Sequence, residues 1–214
     1  GFAALFCYFY AITLLPLATA VTLNDTSAIF LALYLAFAGW RLNSGIVGAL
    51  AVGLLGIALL LRPTLHADQV TGGLLGLASG ALAGMAYFSV RELGARGEPE
   101  TRTVFYFSPV SSLGAGAWLV FSEIHAVDLS SGLLLLGVAA FATGAQLAMT
   151  RAYARGKTLL SAALAYSTVI FSSLFGALFW GEMLAASAWL AVALVVLSGV
   201  AATHFSRTSS GEQD

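Results

Sequence analysis

The chain is 214 residues long, 59% hydrophobic and 9% charged, with a formal net charge of -1. Its mean hydropathy of +0.92 belongs to a chain built for hydrocarbon and excludes a water-soluble domain. The near-neutral charge argues against a nucleic-acid surface, and a single cysteine, Cys7, excludes an intramolecular disulfide and any cysteine cluster for a metal.

A membrane helix needs roughly 20 apolar residues. Such segments lie at 1–15, 17–39, 44–61, 71–91, 103–121, 131–150, 158–180 and 185–204. They predict an all-α polytopic membrane protein. The first segment is short for a span, and it opens at Gly1 without a charged leader, so the expectation is a chain truncated at its N-terminus. Pro16 marks the turn into the second segment.

The second segment carries an acid within its apolar run, in Leu23-Asn24-Asp25-Thr26-Ser27. If these residues formed a loop and a helix start, only Ala28 to Trp40 would remain for a span of roughly 20 residues. Length therefore places Asp25 inside a helix. A central Asp costs about 2.5–3.5 kcal/mol on the insertion scale, against roughly 0.3–0.6 kcal/mol returned by each large apolar residue. The helix still inserts, and a residue kept there at such a cost marks an ion, proton or substrate path. At 100° per residue, Asp25 shares a face with Ala18, Thr22, Ala28, Ala32 and Ala36, with Asn24 beside it, while Leu23, Phe30, Tyr34 and Phe37 form an opposite row expected to face lipid.

Further along, Gly76, Gly80 and Gly84 recur every four residues and offer a flat face for close helix packing. Pro109, beside Ser108, Ser111 and Ser112, removes a backbone hydrogen bond within 103–121 and should bend that helix. The bend is structural or serves gating. Gln146 shares a face with Thr143 and Thr150 deep in its span, where it either lines a cavity or bonds a neighbouring helix. Arg91 to Arg102 reads as a solvated loop, Glu182 as a helix-end group, and the tail from Arg207 as polar and disordered.

With the C-terminus inside, Arg41, Arg91, Arg96, Arg102, Arg151, Arg155, Lys157 and Arg207 all fall on the cytoplasmic side, leaving Arg62 opposite. Trp40, Trp118, Trp180 and Trp189 fall at span ends, as an aromatic belt requires. Laying Ile29-Phe30 on Ile170-Phe171, 141 positions on, aligns Ala18 to about Leu59 with the later segment without gaps. The later bulky row is Leu164, Phe171, Phe175 and Leu178; the later small or polar face is Ala162, Ala163, Tyr166, Ser173 and Ala177. The two copies cross in opposite directions, so each repeat holds an odd number of helices. Inverted repeats around a midplane site are an architecture of secondary transporters.

These segments resemble the EamA-type members of the drug/metabolite transporter superfamily, ten-helix exporters of the bacterial inner membrane built from two inverted five-helix repeats. LPLATAVTLNDTSAIFLALYLAF looks like the fourth helix of the first repeat, and GAQLAMTRAYARGKTLLSAALAYSTVIFSSLFGALFWGEML is similar to the eighth and ninth helices, with Gly181-Glu182 near the helix end. Asp25 and Ala28 stand where the family has an aromatic residue and a proline. Tyr166 keeps the aromatic in the second copy, and Gly39-Trp40-Arg41 lacks the family's acid. The resemblance implies that residues 1–61 are the last three helices of the first repeat, 62–70 an extracytoplasmic linker, 71–206 the second repeat, and 207–214 a cytoplasmic tail.

Enzyme chemistry finds no support: Asp25 is the one acid buried in a span, no His lies within a span except His204 at its end, and no GxxxxGK[ST] motif is present. The expected function is secondary transport by alternating access, exporting small metabolites, amino acids or amphipathic compounds, with Asp25 as a protonatable residue that couples proton entry to substrate exit, as a structural hydrogen-bonding group or as a contact for a substrate amine. The alternatives are a lipid-carrier flippase and a non-transporting membrane subunit. The expected substrate or ion path is Asp25, Asn24, Thr22, Gln146, Tyr166 and Ser173; its aromatic and small polar groups suit zwitterions better than polyanions. The expected partners are a small-molecule substrate, the lipid bilayer and a proton, with no cofactor, metal or nucleic acid, in a monomer or homodimer.

Overall fold

In hydrocarbon every backbone N–H and C=O must be satisfied within the protein, and a helix does this within one segment. A computed structural model describes residues 1–39, 44–61, 67–121, 128–155, 158–165, 167–181 and 186–210, which form helices without a strand. In chain order these are α1 (Phe2–Leu14), α2 (Leu17–Asp25), α3 (Ser27–Phe37), α4 (Ser44–Leu61), α5 (Ala67–Ala95), α6 (Glu100–Leu119), α7 (Leu129–Arg155), α8 (Thr158–Ala165), α9 (Ser167–Trp180) and α10 (Ala186–Ser210). Leu17–Phe37, Val70–Ala95 and Leu129–Arg155 are each long and apolar enough to cross a bilayer. The chain is an all-α membrane protein.

Several elements run past their expected limits. The stretch Arg91 to Arg102, expected to be a solvated loop, is helical to Ala95 in α5 and again from Glu100 in α6. Helical backbone bonds outlast the apolar run at both ends, and Pro99, which cannot continue α5, stands at the N-cap of α6. The tail is likewise helical as far as Ser210, with 211–214 outside the described residues. α6 continues through Pro109.

The described chain divides into two compact units. The first holds residues 3–88 and 157–214. In it α4 lies along α10, and the contact is close because Gly53 faces Ser198 and Ile29 while Gly56 faces Val195 and the Ala191 carbonyl. The buried Ser198 hydroxyl donates to the Ala49 carbonyl at 2.6 Å. In the same unit, Gly76 faces Leu23, Gly80 faces Thr26 and the Leu23 and Asn24 carbonyls, and Gly84 faces the Ser27 carbonyl and Phe30.

This packing corrects the row expected to face lipid. Leu23 is fully buried under Gly76, Phe30 lies against Gly84, and Tyr34 donates its hydroxyl to the Ala81 carbonyl at 3.2 Å. Phe37 alone of the four is exposed, at 86%. The glycine face of α5 takes large side chains from α2 and α3 because it has none of its own. In the later copy Phe171, Phe175 and Leu178 are exposed as expected, and the side chain of Leu164 lies outside the described ones.

The second unit holds residues 89–156. α6 and α7 pack as an antiparallel pair, joined where the start of α6 meets the end of α7: Arg155 donates to Glu100 at 2.7 Å, with Arg151 at 3.9 Å. The Glu100 carboxyl is held below its ordinary value by its own backbone amide and by these two guanidinium groups. The rest of the pair turns apolar side chains outward, among them Phe105, Leu113, Leu134 and Phe141, the reverse of a soluble helix pair and the arrangement lipid favours.

α7 begins on a side-chain cap. Asp128 accepts from the Ser130 hydroxyl at 2.5 Å and from the Ser131 amide at 3.0 Å, satisfying an N–H that the helix leaves open. The Ser130 and Ser131 hydrogen bonds bring its carboxyl from 3.8 down to about 2. A depressed folded-state value stabilises the cap above the ordinary carboxylate range and loses that contribution as pH falls from about 4 through about 2. The protection of the Ser131 amide against hydrogen exchange, taken relative to its intrinsic rate at each pH, is expected to fall over that window, and Asp128→Ala should show the low protection at every pH. An amide whose protection is the same in both proteins would contradict the cap.

Candidate functional site

The site is built at a break between α2 and α3. Thr26 keeps right-handed dihedrals, φ -59° and ψ -11°, but its amide bonds the Leu23 carbonyl three residues back at 3.3 Å, and its hydroxyl donates to the same carbonyl at 2.6 Å. Threonine hydroxyls that bond back to the backbone bend helices, and a tightened turn of this kind interrupts the α-ladder without a proline. Asp25 was expected within an unbroken helix. It is instead the last residue of α2, in a rod of 21 residues with α3 that is still long enough to span.

The negative end of the helix dipole disfavours an acid there, so Asp25 does nothing for the stability of α2. Its carboxyl reaches to the start of α9, the end of a helix that favours an anion. The Thr168 hydroxyl lies 2.5 Å from Asp25 Oδ2 and 2.7 Å from the Ala165 carbonyl. Asp25 is half-buried and Thr168 exposed. Two tyrosines, Tyr8 on α1 and Tyr87 on α5, stand within electrostatic reach of the carboxyl.

The other expected site residues fall on several elements. Thr22 is completely buried and donates its hydroxyl to the Ala18 carbonyl at 2.7 Å. Asn24 donates its amide to Ser79 Oγ at 3.0 Å, and Ser79 donates to the Gly76 carbonyl at 2.6 Å. The Thr22 bond stays within its own helix, and the Asn24 bond joins α2 to α5. Gln146 is half-buried in the second unit, one turn from Thr150, a buried hydroxyl without a hydrogen-bond partner among the described residues. Ser173 falls on α9, its side chain outside the described ones, and Tyr166 and Glu182 lie outside the described residues.

Thr168, Tyr8, Tyr87 and Ser79 were not singled out in the sequence. For Thr168 a signal existed: the 141-position overlay pairs Thr26-Ser27 with Ser167-Thr168, two hydroxyl residues following the key position in each copy. Tyr8 and Tyr87 come to Asp25 through tertiary packing, which no local pattern announces.

No family model matches the chain. It is 32% identical over 212 residues to the pseudopaline exporter CntI of Pseudomonas aeruginosa, in strain UCBPP-PA14 and in strain PAO1, across 99% of this chain and 73% of the relative. The chain belongs to the family of the pseudopaline exporter CntI. It is a secondary membrane transporter of small metabolites. A protein described as an uncharacterized transporter, from Helicobacter pylori strain J99, is 24% identical over 207 residues, across 94% of this chain and 69% of that one. The same fold occurs in a crystal structure 22% identical in sequence, matching 97% of this chain and 74% of the other with a TM-score of 0.69.

Proposed function

We propose that this transporter is an EamA-type member of the drug/metabolite transporter superfamily that exports a small metabolite from the bacterial cytoplasm. It lies in the inner membrane with its C-terminus cytoplasmic, and two inverted five-helix repeats rock against each other around Asp25. The observation that carries the reading is the bond from Asp25 to Thr168. It links the break of the α2–α3 rod to the corresponding place in the α8–α9 segment, where α8 ends at Ala165 and α9 starts at Ser167. A carboxyl on such a link can take up a proton on one side and release it on the other, which couples proton entry to substrate exit. Acid and aromatic rings around one point also suit a substrate that carries an amine.

The name of the relative makes pseudopaline the first substrate to test. The full-length protein in proteoliposomes is expected to move pseudopaline or zwitterionic amino acids. Movement of lipid-linked sugars alone, in a panel that also includes amino acids and cationic drugs, would contradict the reading.

A further inference from the structure

The Thr168 hydroxyl carries one proton and has two acceptors in reach, Asp25 Oδ2 at 2.5 Å and the Ala165 carbonyl at 2.7 Å. A hydroxyl can donate once and still accept. When Asp25 is ionised, Thr168 donates to it. When a proton from solvent sits on Oδ2, the acid donates to Thr168 Oγ1, and the threonine proton turns to the Ala165 carbonyl. The threonine O–H bond is never broken, so one proton enters and one can leave, with only a rotation between.

We propose that Thr168 is the positioning residue of the Asp25 carboxyl, keeping α2 hydrogen-bonded to α9 in both protonation states by turning its single hydroxyl proton between Asp25 and the Ala165 carbonyl. This rests on the proton-coupled reading and extends it, because the link between the two helices survives proton loading instead of snapping with it. A lysine or arginine partner would strongly favour the ionised form, and an aliphatic one would bind neither. Among the described residues, the titratable groups within electrostatic reach of the carboxyl are Tyr8 and Tyr87, and their hydroxyls are the alternatives to test against Thr168. Thr168 has its second acceptor fixed on its own segment, three residues back.

The test is infrared difference spectroscopy of the full-length protein in liposomes, titrated across neutral pH. The Asp25 acid band is the one absent in Asp25→Asn. Thr168→Val should move that band to higher frequency, as an acid that has lost its acceptor does, while Thr168→Ser leaves it in place. Hydrogen bonds to an ionised group are roughly twice as strong as neutral ones, so Thr168→Val should also displace the pH profile of transport by on the order of one pH unit, with Thr168→Ser restoring it. A titrating band that ignores Thr168→Val, or moves instead with Tyr8→Phe or Tyr87→Phe, would overturn the assignment of Thr168 and leave proton coupling standing. The absence of any Asp25-dependent titrating band would overturn both.

Discussion

Gly80→Leu is expected to lower the thermal midpoint of the purified protein sharply and to reduce the amount that folds. A Cβ at position 80 would lie 2.7 Å from the Leu23 carbonyl and 3.2 Å from the Asn24 carbonyl, and closer still to the Thr26 hydroxyl. Two of these are backbone atoms of the break between α2 and α3, which cannot swing aside as the tip of a side chain would. Overpacking a dense interior costs about 1–3 kcal/mol, and three further carbons beyond the Cβ put Leu at the top of that range. Gly80→Ala should cost less and still be measurable, whereas Gly137→Ala, at a position with nothing within 4 Å, should cost little. An unchanged midpoint for Gly80→Leu in a detergent thermal-stability assay would show that α5 does not pack on this segment.

The second large effect falls on Asp25. Asn is close to isosteric and can still accept from Thr168, so Asp25→Asn should express and fold. It can no longer gain and lose a proton. A step that requires one bound proton changes by up to about tenfold per pH unit. The slope of transport against pH is therefore expected to collapse to near zero in the variant, with the maximal rate reduced by about tenfold or more. Normal transport with an unchanged pH profile would remove Asp25 from the mechanism.

Sequence alone located these two positions with unequal success. The four-residue spacing of Gly76, Gly80 and Gly84 was legible because a missing side chain is a local property that acts wherever the helix packs. What would fill that face was not legible: Leu23 reads as lipid-facing by helical geometry, and its burial under Gly76 is decided by the neighbouring helix. In a membrane the apolar residue that touches protein and the one that touches lipid look alike, so periodicity carries less than it does in water.

Asp25 stood out because a charge in an apolar run has an insertion cost that any reading must explain. Its exact setting did not. The argument from span length is correct for the rod Leu17–Phe37, yet Thr26 interrupts the ladder by bonding back to Leu23, a side-chain choice that leaves length untouched. Thr22 and Asn24 show the reverse problem. As polar residues beside an acid they look like cavity lining, but the Thr22 hydroxyl proton goes to the Ala18 carbonyl and one Asn24 N–H to Ser79.

The most direct measurement follows proton and substrate together. Proteoliposomes of the full-length protein, loaded with a pH-sensitive dye, are given a gradient of a transported substrate and no imposed pH gradient. Substrate movement through the wild type is expected to drive protons in the opposite direction, and Asp25→Asn to abolish that proton flux while remaining folded. Substrate moving through the wild type with no accompanying proton flux would contradict the account.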